Sequence, residues 1–192
     1  MVLSDVDIKR YMEQGKIRVS PELALDQYGS CSVDLRLGTE FSVFEHSKHP
    51  YIDLKSGLNL ESIMRTVEVP PGDPFVLQPR EFVLAVTAET LELDEDILAR
   101  LEGRSSLGRI GIIVHGTAGL FDPGWIGRAT LELSNLGRMA VALYPGMRIC
   151  SFTFEQLSSR VAVSYRNKPG NKYTGQAHPL ASRLGTELVP SK

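Results

Sequence analysis

The sequence is short of several things at once. It has two cysteines and one tryptophan in 192 residues, and almost no net charge: 21 basic against 23 acidic side chains, or −2 at neutral pH. Two cysteines cannot build a disulfide framework, and Cys31 and Cys150 lie far apart in segments of apolar pattern, so buried free thiols are expected. The near-neutral balance gives no reason to expect nucleic acid or an anionic membrane as partner. No apolar run is long enough to span a bilayer, and MVLSDVDIKR has no long apolar core of a signal peptide, so a cytoplasmic protein is expected. The glycines at 103 and 108 have P-loop spacing but lack the following Lys-Ser/Thr. There is no Gly-x-Ser-x-Gly elbow, which leaves Ser105 a poor hydrolase nucleophile. Internal repeats and interdomain linkers are also missing.

What is present is a dense series of short strand patterns. One helix is predicted near the N-terminus: Ser4 caps it, Asp5 and Asp7 suit its first turn, Ile8, Tyr11 and Met12 share a face, and Gly15 stops it. Strands are predicted at 17–20, 30–37, 41–44, 66–69, 75–77, 82–87, 98–102, 110–114, 128–134, 140–144, 148–154 and 161–163. Short strands punctuated by Gly and Pro turns argue for a single all-β sandwich or barrel over 1–192. The stretch 54–64 reads as loop or short helix. The polar loop around His46, Lys48 and His49 has no carboxylate or Cys spaced to complete a metal site. On 30–37, Asp34 and Arg36 share a face and are expected to form a weak surface ion pair.

The most informative stretch runs from Glu102 to Asn135. Gly103-Arg104-Ser105-Ser106-Leu107-Gly108-Arg109 is a basic, small-residue turn suited to an anion. His115-Gly116-Thr117-Ala118-Gly119 follows, and Asp122-Pro123-Gly124-Trp125 signals a turn. In 128–134, Ala129, Leu131 and Leu133 alternate with Thr130, Glu132 and Ser134. Glu132 therefore points away from the core, towards solvent or a polar pocket. After Tyr165 the chain turns polar and basic, which reads as a frayed terminus or as a lid over a phosphorylated ligand.

Gly-Arg-Ser-Ser-Leu-Gly-Arg, His-Gly-Thr-Ala-Gly-Leu-Phe-Asp-Pro-Gly-Trp and Thr-Leu-Glu-Leu-Ser-Asn, in this order, resemble the dCTP deaminase family, relatives of trimeric dUTPases. Ser32–Gly38 upstream and Lys172–Gln176 downstream extend the resemblance over nearly the whole chain. It implies a distorted jelly-roll or β-barrel of dUTPase type with a short N-terminal helix, assembled as a homotrimer with sites between neighbours, and with 166–192 as a flexible lid and tail. It implies hydrolysis of dCTP to dUTP and ammonia. Glu132 would be the proton shuttle, Ser105 and Arg109 would place the water and hold Glu132 ionised, and the Ala118 carbonyl would help bind the water. His115 would be a satisfied polar residue at the rim. Arg104, Ser105, Ser106, Leu107, Gly108, Arg109, Asp122, Thr130, Leu131, Glu132, Tyr165, Lys172 and Gln176 match nucleotide-holding positions, Asp122 at the sugar. Mg²⁺ would ride on the substrate triphosphate, held by its oxygens and water, with no metal ligand from the protein. Feedback inhibition by dTTP is a family expectation. Zinc-dependent nucleotide deaminases carry His-x-Glu and Pro-Cys-x-x-Cys; neither occurs here, so the deaminase would activate water without zinc.

Three other readings stay open. Thr117-Ala118-Gly119 and Leu131–Asn135 look like members that also cleave the triphosphate and release dUMP, whereas Ser151 stands where those members carry Gln. A plain dUTPase would use Asp122 to activate water, but would not need Glu132 with Ser105 and Arg109. A non-enzymatic β-sandwich binding module would leave the Gly-Arg-Ser-Ser turn as a hairpin.

Overall fold

The computed structural model of the chain describes residues 1–45, 51–57 and 59–185. The order is α1 (Asp5–Glu13), β1 (Ile17–Ser20), β2 (Val33–Phe44), β3 (Met64–Glu68), β4 (Phe75–Leu77), β5 (Phe82–Leu93), β6 (Ile97–Gly103), α2 (Ser105–Gly108), β7 (Ile112–Ile113), β8 (Leu120–Phe121), β9 (Ile126–Asn135), β10 (Val141–Leu143) and β11 (Arg148–Gln156). Single 3₁₀ turns lie at Leu25–Gln27, Leu60–Ile63 and Tyr165–Asn167. The expected all-β class with one short N-terminal helix is what the chain forms. Among the described residues no helix is long and apolar enough to cross a membrane.

Local chemistry explains α1. The Ser4 hydroxyl accepts from the Asp7 amide at 3.3 Å, and Ile8 is buried. Gly15 takes φ +70°, the left-handed conformation that ends helices. Behind it, Lys16 reaches Asp96 at 2.6 Å and ties the helix to the start of β6.

The main sheet follows the order β7-β9-β5-β2-β11-β6-β8, with β1 added to β5 and β3 to β2; β4 and β10 pair separately. Every strand pair is antiparallel. Register slips between Leu37 and Phe41 and between Val86 and Thr90 add twist, and the sheet curls into a half-barrel. Its inner face is the core: Leu35, Leu37 and Phe41 of β2, Val83, Ala85 and Leu91 of β5, Leu131 and Leu133 of β9, and Phe152 and Phe154 of β11 are all at 0% exposure. Phe41 stacks on Phe75 at 4.2 Å between ring centres, joining the small sheet to this core.

Several local expectations are corrected. The two strands at 30–37 and 41–44 are one strand, β2, because a slip in register carries the ladder across Gly38. The strand expected at 110–114 shrinks to β7. The turn begun by α2 runs on, with the Ile110 amide on the Leu107 carbonyl and Gly111 at φ +88°, and consumes its first residues. The segment 161–163 is no strand; the Val161 amide donates to the Glu95 carbonyl and Val163 is exposed. The stretch 54–64 resolves, where described, into the 3₁₀ turn Leu60–Ile63. Cys150 is buried as expected, but Cys31 is exposed. Asp34 does not pair with Arg36. It faces Arg104 at 3.1 Å and Arg148 at 3.7 Å, while Arg36 lies 3.7 Å from Asp26 and 4.0 Å from buried Glu89. The polar loop of His46, Lys48 and His49 lies outside the described residues, as does the tail beyond 185.

Candidate active site

Alternation along β9 decides where the functional face points. Ala129, Leu131 and Leu133 are at 0% exposure against the core, while Arg128, Thr130 and Glu132 are half-buried on the opposite face. That face forms one wall of a cavity of about 460 Å³. Thr130 and Glu132 line it. Leu131 has its side chain in the core, so only its backbone can serve a ligand here.

The carboxylate of Glu132 is held in place by the loop 115–119. Its Oε2 accepts from the Gly116 amide at 2.9 Å and the Thr117 amide at 3.0 Å, two charge-assisted bonds suited to an anionic oxygen. A Cβ on Gly116 would stand 3.1 Å from that oxygen, so glycine lets loop and carboxylate approach closely. Ala118, a little further on, has φ +49°, a left-handed conformation uncommon for a side-chain-bearing residue. Ala118 lines the same cavity. His115 is not the satisfied rim residue that was expected. Both ring nitrogens are buried, and neither has a hydrogen-bond partner among the described residues.

Asp122 enters the cavity from the turn 122–125. The Trp125 amide donates to the Asp122 carbonyl at 3.0 Å, and Gly124 has φ +80°, the geometry of a Pro-Gly turn. Phe121 meets Trp125 edge-on at 4.7 Å, and both line the cavity as an apolar wall. The far wall comes from the C-terminal segment. Tyr165, Tyr173, Gln176 and Leu180 line the cavity, so the stretch read as a frayed end or lid lies against the site in this structure. Gln176 is 9% exposed, and its Nε2 donates to Thr130 Oγ1 at 3.0 Å. Lys172 does not line the cavity; its carbonyl accepts from Arg183.

The turn 104–109 stands elsewhere. None of its residues lines this cavity. Leu107 is buried and anchors α2, whereas Ser105, Ser106, Gly108 and Arg109 are exposed. Arg104 is engaged with Asp34 and donates to the Arg148 carbonyl at 3.0 Å. One chain thus gathers Ala118, Asp122, Thr130, Glu132, Tyr165 and Gln176 and leaves Arg104 to Arg109 apart. Sequence reasoning missed Trp125, Tyr173 and Leu180. Trp125 was legible as the chain's single tryptophan beside the turn; the other two depend on how the tail folds back.

Relatives share this chain's sequence along nearly its full length. A profile of the dCTP deaminase-like family matches residues 2–157. The chain is 59% identical over 189 residues to the dCTP deaminase of Thermomicrobium roseum, spanning 98% of this chain and 96% of that protein. It is 50% identical over 189 residues to the dUMP-forming dCTP deaminase of Dictyoglomus thermophilum, spanning 98% and 97%. Among solved structures, the 2′-deoxycytidine 5′-triphosphate deaminase from Agrobacterium tumefaciens superposes with a TM-score of 0.64 at 23% identity, over 81% of this chain and 48% of that one; this likeness is one of fold.

Proposed function

The chain belongs to the dCTP deaminase-like family, and we propose that it hydrolyses dCTP to dUTP and ammonia without zinc. The observation that carries this reading is the Glu132 carboxylate on the cavity wall, held by two backbone amides with one oxygen left for a ligand. Glu132 takes a proton from water as its oxygen bonds to C4 of the cytosine. It then returns that proton to the 4-amino group, the C4–N bond to that group breaks and ammonia leaves. The remaining hydroxyl proton ends on N3, which took up the electron pair of the C4–N3 double bond during attack, so that a C4 carbonyl and an N3–H are left. The Ala118 carbonyl, on its left-handed backbone, orients the water. Asp122 accepts from the sugar hydroxyl, and Tyr165 and Gln176 cover the nucleotide. Lys172 serves the triphosphate. Among the described residues no three His, Cys, Asp or Glu side chains cluster to hold a metal. Mg²⁺ would be carried on the phosphate oxygens and water, where it neutralises charge.

Ser105, Ser106, Arg104 and Arg109 reach the reaction from a neighbouring copy in a homotrimer. Their place outside the cavity of their own chain supports that arrangement. dTTP, which shares sugar and phosphates with the substrate, would compete for the same pocket.

A second reading is favoured by the dUMP-forming relative at 50% identity. Against it stands Ser151, a small hydroxyl residue on β11 opposite Asp34 and Glu102. Product analysis decides. With dCTP and magnesium, dUTP alone is expected, and Glu132→Gln should abolish it. dUMP and pyrophosphate without free dUTP would install the second reading. Intact dCTP beside hydrolysed dUTP would replace both with a plain dUTPase.

A further inference from the structure

Arg128 shares the open face of β9 with Thr130 and Glu132, yet it does not line the cavity. Its guanidinium crosses instead to the two neighbouring strands. Nε donates to the Thr87 carbonyl of β5 at 2.6 Å, and Nη1 pairs with Glu40 of β2 at 3.4 Å. The passage is built for it: β2 and β5 both slip register here, and a Cβ on Gly38 would collide with the Arg128 guanidinium. Such a Cβ would also stand 2.9 Å from the Val86 carbonyl.

The same arginine grips the C-terminal segment at two successive residues, and its partner Glu40 holds the next. Its amide donates to the Gln176 carbonyl at 2.9 Å, and its carbonyl accepts from Gln176 Nε2 at 2.8 Å. Its Nη1 donates to the Ala177 carbonyl at 3.1 Å. Its partner Glu40 holds His178 Nδ1 at 2.6 Å through the other carboxylate oxygen. The Arg128 and Glu40 side chains are only 20% and 19% exposed, so this pair is better shielded than a surface ion pair.

We propose that Arg128 and Glu40 are positioning residues for nucleotide binding, which act by stapling residues 176–178 across β9 so that Gln176 stands over Thr130 at the cavity wall. Neither side chain lines the cavity, so the staple sets where the tail lies and leaves the proton shuttle untouched. The inference rests on the dCTP reading for its kinetic consequence, and on geometry alone for its structural one.

The test uses the full chain. In nucleotide-free protein, Arg128→Met should speed amide hydrogen exchange at 175–178 while exchange in β9 and β5 stays as in the wild type. With dCTP, Arg128→Met should raise KM about tenfold and leave kcat within about twofold. Glu40→Gln should do the same more weakly, and Arg128→Lys, which keeps the charge but not the fork, should recover part of the loss. Combining Arg128→Met with Gln176→Ala should cost no more than the worse single change, since the Arg128 fork acts on binding only by placing Gln176. Unchanged exchange at 175–178 in folded Arg128→Met or Glu40→Gln protein overturns the staple. So does a double variant whose KM is the product of the two single effects. A wild-type protein that leaves dCTP intact, but whose tail still loosens in Arg128→Met, would sink the substrate reading and keep the staple.

Discussion

At the scale of single residues, the acid Asp96 shows how a charge is kept in a largely apolar frame. It is 7% exposed, accepts from Lys16 Nζ at 2.6 Å and from Gln156 Nε2 at 3.0 Å. Burial alone would push its carboxyl up; the hydrogen bonds from Gln156 and Lys16, with the Lys16 and Arg160 charges, outweigh it and hold the carboxyl below its ordinary range. The hydrogen bond to Asp96 likewise raises the Lys16 amine. A depressed carboxyl stabilises the fold above its unfolded value and loses that contribution as pH falls through the folded one. Asp96→Asn should therefore cost about 1–2 kcal/mol at pH 7. The gap in urea midpoint between variant and wild type should narrow as pH falls below the ordinary carboxylate range. A gap that stays constant across that range would show that the charge is not what holds α1 to β6. Asp96 gave no signal in the sequence, where Leu-Asp-Glu-Asp reads only as a polar turn. Glu132 did, because alternation along 128–134 puts it off the core whatever the rest of the chain does. His115 was misjudged for the opposite reason: what a ring nitrogen meets depends on loops that no periodicity describes.

At the scale of elements, local rules held where the element owes its form to itself. The cap of α1 is such a case, and Ser4→Ala should lower stability by about 1 kcal/mol in thermal or urea unfolding, with dCTP turnover unchanged. They failed where a neighbour decides. The pattern broke at Gly38, yet β2 runs through it because β5 and Arg128 supply the contacts; Val161–Val163 looked like a strand and has no ladder partner among the described residues. The tail is the sharpest instance. Its polar, glycine-containing sequence reads as a frayed end or a lid and does not say where it docks, but Gln176 forms a parallel bridge to Gly127. Gly127 has φ +148°, and a Cβ there would lie 2.9 Å from the Gln176 carbonyl. Gly127→Ala should consequently push the tail off β9. A KM for dCTP raised about fivefold or more, together with faster exchange at 175–177, is the expected result. Unchanged exchange would mean that the bridge is not what seats the tail.

At the scale of the whole molecule, the motifs were legible in order but not in space. Sequence could list Arg104, Ser105 and Arg109 beside Glu132, yet a single chain sets the α2 turn apart from the cavity: α2 leads from β6 into β7 at the C-terminal end of β9, and none of 104–109 lines the cavity on the open face of β9. An exposed Arg109 and a cavity without it are what a site shared between copies requires. The consequence can be counted. Glu132→Gln chains and Arg109→Ala chains should each be inactive alone. If every site takes Glu132 from one copy and Arg109 from the next, a site is intact when an Arg109→Ala chain meets a Glu132→Gln chain in the right order. Random one-to-one trimers then regain about a quarter of wild-type sites. Co-expression with two different tags and isolation of the mixed species removes the inactive pure trimers, so dCTP turnover there should be about a third of wild type, one intact site in each mixed ring. A mixed species as inactive as its parents would mean that both residues serve one chain's site, and that α2 must move to reach Glu132 during the reaction.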